Sequence, residues 1–299
     1  MSVLDGPREE WRRILHEGTP HWVRPEGERL RLGDGRTIAE AEATYLPPCD
    51  PTKIICIHLN YDSRRLEFKA PPLVNPTYFQ KPLTTLNAHR GRVSRPADCK
   101  YLNYEGEIAA IVGKPMRNVA REDVWDHLAG FAPANDVGAQ DFRDTDAGSM
   151  LRVKGSDTLA PIGPGLVTGW DFHNKGIQTR VNGEVKQDST TAEMEWDMHY
   201  LVADIARTIT LVPGDILFSG TPAFSRTVYP GDVVEVEVEG LGTLSNTIVQ
   251  GPVPIRDDCG AQPTESEEVV STAMGGDWEF RGIRTPSKDL YPSTVEEKE

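Results

Sequence analysis

A mainly β protein (α+β) with a few helices is the fold class this sequence predicts. Three observations carry the prediction. "GDVVEVEVEGLGTLSNTIV" alternates with period two, Val234, Val236 and Val238 against Glu235, Glu237 and Glu239. Other apolar runs are separated by Gly and Pro turns instead of regular helices, which argues against a doubly wound α/β fold. The clearest helical pattern is confined to "TTAEMEWDMHYLVADIARTITLVPGD", where Met194, Met198, Leu201, Val202 and Ile205 recur at three and four and Pro213-Gly214 closes the segment. With 299 residues, 38% of them hydrophobic, the chain can build one sizeable core and a small second unit.

The remaining elements follow in chain order. "REEWRRILHEG" spaces Trp11, Ile14 and Leu15 as a helix ending at Gly18. "RLRLGDGRTI" predicts a hairpin turning at Asp34-Gly35. "LPPCDPTK" is a proline-rich break, and residues 1–50 are expected to form a small N-terminal domain. "KIICIHLN" is a short apolar strand. "PLVNPTYFQKPLTTLNAHRG" predicts an irregular loop with buried anchors, and "VAREDVWDHLAGF" a short helix. The body occupies 51–255. Residues 256–299 form an acidic C-terminal extension, with 11 Asp plus Glu against 5 Lys plus Arg. Within it "QPTESEEVVSTAMGG" is expected to be a flexible linker, and "DWEFRGIRTPSKDLYP" to dock through its aromatics.

Charge and cysteine usage narrow the function classes. The formal net charge is −14 and the pI about 5.0, which disfavours nucleic acid and anionic membrane as partners. No apolar run reaches the roughly 18 residues of a membrane span, and the N-terminus has no signal-type apolar region, so the expectation is a cytoplasmic protein. Cys49, Cys56, Cys99 and Cys259 are scattered without a CxxC pair and are expected to be free thiols.

One stretch is unusual. "NYEGEIAAIVGK" places Glu105 and Glu107 on one face at the mouth of an apolar strand, with Gly106 between them allowing close backbone approach on the other. Two parallel carboxylates repel unless a cation lies between them, and a hard divalent cation with oxygen ligands resolves the conflict. Asp136 of "GFAPANDVGAQDFR" offers a third carboxylate. The bland alternative is a solvated strand edge, as in "VEVEVEG". Spacing alone therefore does not establish a metal site.

The ordered set "HLNYDSRRLEF", "YEGEIAAIVGK", "AGFAPANDVGAQDFR", "RVKGSDTLAPIGPGLVTG", "VNGEVKQDSTTAEMEWDMHYLVADIARTITLVPGDILFSGTP" and "GDVVEVEVEGLGTLSN" resembles the fumarylacetoacetate hydrolase family over about residues 53–250. The resemblance implies a mixed β-sandwich roll or flattened β-barrel, a homodimer, and one Mg²⁺ or Mn²⁺ per subunit held by Glu105, Glu107 and Asp136. It implies a small-molecule 2-oxo acid as substrate. The expected reaction is hydrolysis of a C–C bond in a 2-oxo or 1,3-dioxo acid through a metal-stabilised enolate. The alternatives are a decarboxylase or keto–enol isomerase on a 2-oxo diacid, and a binding protein that has lost catalysis. Lys154 matches the family's lysine near the metal, Gly220 and Thr221 match the segment facing the substrate carboxylate, Lys81 matches a further position, and Asn60 and Tyr61 buttress the adjoining loop.

Two departures bear on the reaction. Family hydrolases usually carry a His three residues after the "NY" tyrosine and a Glu three further on, a pair that activates water. Here those positions are Arg64 and Glu67, and arginine stays protonated. Arg64 can pair with Glu67 or bind a substrate carboxylate. The family commonly reads Arg, Asp, aromatic, Gln after the Asn-Asp, whereas this chain reads Gln140, Asp141, Phe142, Arg143, so the two functional side chains are exchanged. His58, His89, His127 and His199 are candidate replacement bases, and Glu67 alone or a metal-bound hydroxide is a further one.

Overall fold

The computed structural model describes residues 6–146 and 148–276. It is mostly β. Among the described residues the largest sheet has thirteen strands. Its main path runs Thr37–Ala39, Arg29–Arg31, Thr19–Glu26, Glu9–His16, Gly165–Thr168, Leu128–Asn135, Gly106–Val112, Ile216–Phe218, Ile54–Ile57 and Tyr78–Lys81. A five-stranded sheet orders Glu184–Thr190, Gly176–Val181, Val233–Val238, Gly242–Gln250 and Arg92–Arg95. Gly138–Ala139, Leu102–Asn103 and Thr227–Val228 make a small third sheet.

The apolar run after Glu107 is explained by burial on both faces. Ile108, Ala110 and Val112 join the core that contains Ile177, Val236, Val238 and Leu244 of the five-stranded sheet and Leu201, Val202 and Ile205 of the long helix. Ala109 and Ile111 point the other way, into a second cluster with Ile54, Ala132, Ile216 and Phe218. A strand covered on both sides reads as a continuous apolar run. Gly106 is required by close approach, because a Cβ there would stand 2.0 Å from Thr179 Oγ1. The Val233–Val238 strand buries Val234, Val236 and Val238 and leaves Glu237 exposed, as its alternation predicts.

The N-terminal segment departs from its helical spacing. Residues Glu9–His16 form a strand, not a helix. Glu17 and Gly18, with φ of 50° and 76°, make a two-residue turn that pairs His16 with Thr19, the positive-φ geometry favoured in hairpins. The opposite edge pairs with Gly165–Thr168 and Thr44–Leu46. Ile14 is buried while Leu15 is 41% exposed, a period of two and not 3.6. Tertiary pairing on both edges outweighs the local helical spacing. The hairpin expected at Asp34-Gly35 joins Arg29–Arg31 to Thr37–Ala39.

Three further elements differ from the sequence reading. The loop expected over 72–91 contributes the strands Tyr78–Lys81 and Leu86–Ala88. The short helix at 121 is a 3-10 segment, Arg121–His127, after which Leu128 opens a strand. The expected flexible linker contains the helix Glu267–Met274, capped by Ser266 Oγ on the Val269 N–H and burying Val269, Thr272 and Ala273. The aromatic segment 277–292 lies outside the described residues. The long helix spans Met198–Thr208, with Asp197 as its cap. No helix among the described residues is long and apolar enough to cross a membrane.

Asp215 holds the start of two neighbouring parallel strands together. Its buried carboxylate accepts the N–H groups of Thr52 (2.9 Å), Lys53 (3.1 Å) and Val212 (2.8 Å) and the Thr52 hydroxyl (2.7 Å), and pairs with the Lys53 ammonium. Burial alone would raise its pKa, but the Lys53 ammonium and the backbone donors outweigh it and hold the carboxyl below its ordinary value. A carboxyl depressed in the folded state contributes stability that is complete above its unfolded pKa, near 4, and is lost as pH falls through the folded value. Asp215→Ala is therefore expected to lower stability by about 3 kcal/mol at pH 7 and by less near pH 3. Thermal melts of both proteins at the two pH values check this; an equal difference at both would contradict it.

Candidate metal centre and active-site cavity

The antiparallel register of Gly106–Val112 with Leu128–Asn135 assembles the centre. Gly106 lies opposite Asn135, so the residues just beyond each strand end, Glu105 and Asp136, are brought together. Asn135 Oδ1 accepts the Glu105 N–H (2.8 Å) and Glu105 O accepts the Asp136 N–H (2.9 Å), which locks the junction. Carboxylate oxygens of Glu105, Glu107 and Asp136 all lie within 4.8 Å of one another. Glu107 and Asp136 are each 1% exposed.

Cations surround two of the three carboxylates. Lys154 Nζ is 2.6 Å from Glu105 Oε2, 3.1 Å from Asp136 Oδ2 and 2.7 Å from the Asp136 carbonyl. Lys81 Nζ is 2.5 Å from Asp136 Oδ1 and also donates to the Val137 carbonyl. Burial disfavours the Lys154 charge, but Asp136 and Glu105 outweigh it and raise its pKa. The same lysines hold Asp136 below its ordinary value against the cost of its burial. Glu107 is the exception. It accepts the Gly220 N–H (2.8 Å) and makes no salt bridge among the described residues. Burial, with Asp136 and Glu105 beside it, pushes its carboxyl well up. A buried carboxylate short of a counter-charge, facing two others, fits a site for a divalent cation. An all-carboxylate oxygen set suits Mg²⁺ or Mn²⁺ better than softer metals.

The centre opens into a cavity of about 440 Å³. Arg64, Glu105, Glu107, Gln140, Arg143, Lys154 and Thr221 line it together with apolar Phe68, Leu73, Phe79 and Met150. Lys154 ends the short helix Leu151–Lys154, which Asp146 anchors by accepting the Arg152 and Val153 N–H groups. Its stem runs over Gly138, where a Cβ would stand 3.1 Å away.

Other expected residues are placed as follows. Gly220, at φ 83°, directs its N–H to Glu107 and not to the cavity. Thr221 lines the cavity, and its Oγ1 accepts from Gln187 (3.0 Å). Tyr61 is wholly buried and its hydroxyl has no hydrogen-bond partner among the described residues. Asn60 ties the loop by donating to the Ser219 carbonyl (2.8 Å) and accepting the Trp196 N–H (3.0 Å). Gln140 and Arg143 both reach the cavity from the 3-10 segment Gln140–Thr145, while Asp141 between them accepts the Lys100 and Tyr101 N–H groups.

The positions matching the hydrolase dyad are tied up. Arg64 Nη1 is 2.6 Å from Glu67 Oε2, and Arg64 Nη2 is 3.6 Å from Glu105 Oε1. Arg226 takes the other Glu67 oxygen at 2.6 Å. Burial works to raise the Glu67 pKa, but Arg64 and Arg226 outweigh it and hold the carboxyl below its ordinary value. Of the histidines, His58 lines the cavity; burial, then the Lys154 charge, pushes its imidazole down to about 4, so it is neutral and weakly basic. His89 accepts the Ser245 N–H and packs on Tyr45, and His199 stacks on Trp125. His127 bonds the Asp123 carbonyl. None of these three lines the cavity.

Two contributors escape sequence reasoning, Arg226 and Glu268. For Glu268 a signal exists: Ser266 followed by two acids, then Val269, Thr272 and Ala273 at helical spacing, is a helix start.

Fold and site together define a mostly β protein with a buried three-carboxylate centre beside a lysine. The family model described as fumarylacetoacetate (FAA) hydrolase C-terminal matches residues 53–249, and the chain belongs to this family. It is 34% identical over 240 residues to a 4-hydroxyphenylacetate degradation bifunctional isomerase/decarboxylase of Escherichia coli, covering 79% of this chain and 54% of that one. The chain thus spans about half the length of that relative. It is 36% identical over 214 residues to a mitochondrial oxaloacetate tautomerase of Xenopus laevis, covering 68% of this chain and 67% of that one. Among solved structures, a 5-carboxymethyl-2-hydroxymuconate delta-isomerase from Mycobacterium smegmatis superposes with a TM-score of 0.75 at 31% identity, covering 82% of this chain and all of that one.

Proposed function

We propose that this chain catalyses tautomerisation or decarboxylation of a 2-oxo acid through an enolate. The observation that carries the reading is the Arg64–Glu67–Arg226 cluster. Two arginines neutralise the carboxylate that would otherwise activate water, and an arginine stands where the hydrolase histidine is expected. Enolate formation and loss of CO₂ need electrophilic stabilisation of an oxo group but no water-activating dyad. The relatives named above as isomerase, decarboxylase and tautomerase support the same reading.

Glu105, Glu107 and Asp136 would hold the divalent cation. When bound, it supplies Lewis-acid stabilisation of charge on the substrate's 2-oxo oxygen. The protein's own groups do the rest. Lys154, kept protonated by its carboxylate neighbours, presents an ammonium where enolate charge develops. Arg64, itself 4% exposed and stacked 4.3 Å over the Phe68 ring, is held by Glu67 and stands 3.6 Å from Glu105, so it adds positive charge at the edge of the carboxylate centre. Thr221 and Gln140 add neutral polar groups to the wall. The apolar part of the lining limits water around the reacting carbon.

The test is Mg²⁺-loaded protein with oxaloacetate and, separately, acetylpyruvate, followed by NMR. Pyruvate plus CO₂, or accelerated keto–enol exchange, is expected from oxaloacetate. Acetate plus pyruvate from acetylpyruvate would instead return the hydrolase reading. Arg64→His is expected to introduce acetylpyruvate hydrolysis at least about tenfold above wild type, because the imidazole releases Glu67 from one arginine and supplies a base. An unchanged hydrolysis rate in a folded Arg64→His protein would show that more than the base is missing.

A further inference from the structure

The family match ends at residue 249, yet part of the cavity wall comes from beyond it. The segment after the last strand returns across the 3-10 turn that carries Gln140 and Arg143. The Thr264 N–H donates to the Asp141 carbonyl (2.9 Å), and Thr264 and Ser266 hydroxyls donate to the two Asp144 carboxylate oxygens (2.8 and 2.9 Å). At the far end, Asn103 Nδ2 and Thr227 Oγ1 donate to the Ala273 carbonyl (3.2 and 3.3 Å). These bonds and the buried Val269 and Ala273 fix the Glu267–Met274 helix against the body. The result is that Glu268 lines the cavity, its Oε1 3.5 Å from Arg143 Nε. Both side chains keep about a fifth of their surface open, 22% for Arg143 and 20% for Glu268.

We propose that Glu268 is a specificity-determining residue of this site, which counterbalances Arg143 and so weakens binding of 2-oxo acids that carry a distal carboxylate. The inference rests on the 2-oxo acid reading given above. A 2-oxo acid bound with its oxo and carboxyl oxygens at the carboxylate centre extends its remaining chain along the cavity. Arg64 is engaged by Glu67 and Glu105 at the carboxylate centre, whereas Arg143, carried by the Gln140–Thr145 turn, lines the cavity beside Glu268 of the appended helix. A guanidinium in such a wall recognises a carboxylate by its fork. Glu268 already presents a carboxylate there from the same chain. A distal substrate carboxylate must displace it or share Arg143 with a like charge, which costs affinity. An uncharged chain end meets no such repulsion. Glu268 acts on the substrate through Arg143, so its effect must depend on Arg143.

The test compares two acids of equal length, 2-oxoadipate and 2-oxohexanoate, by calorimetric titration of the full-length Mg²⁺-loaded protein. Glu268→Gln is expected to tighten 2-oxoadipate by about fivefold, the effect of one partly screened charge contact, while 2-oxohexanoate shifts by less than about twofold. Glu268→Asp keeps the charge and should restore the wild-type ratio. Arg143→Gln combined with Glu268→Gln should erase the gain. Equal shifts for both acids, no shift, or a gain that survives loss of Arg143 overturns the role of Glu268 and leaves the 2-oxo acid reading standing. Failure of the wild-type protein to bind either acid overturns both.

Discussion

Glu107→Gln is expected to abolish metal-dependent turnover, by at least about a thousandfold, while leaving the metal-free protein as stable as wild type or more so. The two halves of this result have one origin. Glu107 is buried, accepts the Gly220 N–H and makes no salt bridge among the described residues, with Glu105 and Asp136 as its anionic neighbours. In the absence of a cation its charge is a burden on the fold. A glutamine keeps the shape and still accepts the Gly220 N–H, so the strand junction survives. It removes a ligand charge, so a divalent cation is bound weakly and no longer stabilises the fold by linkage. Thermal melts with and without Mg²⁺, alongside steady-state assays, separate the effects. A Glu107→Gln protein that keeps both its Mg²⁺-dependent melting shift and its activity would remove the three-carboxylate centre from the mechanism.

How much of this centre could be read from the chain depends on the range of the forces that build it. The Glu105–Glu107 pair is legible because strand geometry is local, and residues two apart share a face whatever the fold. The reason for Gly106 is legible in direction only. Close approach was foreseeable, but that the approaching group is Thr179 of another sheet was not. Asp136 becomes a partner through the pairing of Gly106 with Asn135, a contact across about thirty residues that periodicity cannot register; in the chain it is only an available carboxylate, and the family resemblance assigns it to the centre. The errors have the same character. Glu9–His16 carries helical spacing, and its strand state is imposed by Thr19–Glu26 on one edge and Gly165–Thr168 on the other. The segment around Glu267 is rich in the polar residues that mark linkers, and becomes a docked helix because Asp144, Asn103 and Thr227 supply partners for Ser266 and Ala273. Arg64 shows the converse. Its identity is plain in the sequence, but that it closes Glu67 together with Arg226 is a tertiary fact, and this shifts the reading from hydrolysis towards tautomerisation or decarboxylation.

Lys154→Met is expected to lower kcat by about a hundredfold or more without weakening metal binding. The sign of the second half follows from electrostatics. The Lys154 ammonium sits 2.6 Å from Glu105 and 3.1 Å from Asp136, so it competes with a divalent cation for the same oxygens. Removing that positive charge leaves the carboxylates more available, and Mg²⁺ affinity should hold or rise. Methionine keeps the unbranched stem that crosses Gly138, so packing is retained while the charged donor is lost. The Asp136 carbonyl then loses its 2.7 Å donor, and a modest fall in stability accompanies the change. A lysine serving only to hold the carboxylates apart would give the opposite pattern: metal affinity would fall with kcat, because the ligands would lose their arrangement. Calorimetric Mg²⁺ titration and oxaloacetate turnover on the same preparation decide between the two. Tighter or equal Mg²⁺ binding with lost turnover places the ammonium on the developing enolate, whereas parallel loss of both makes Lys154 part of the scaffold alone.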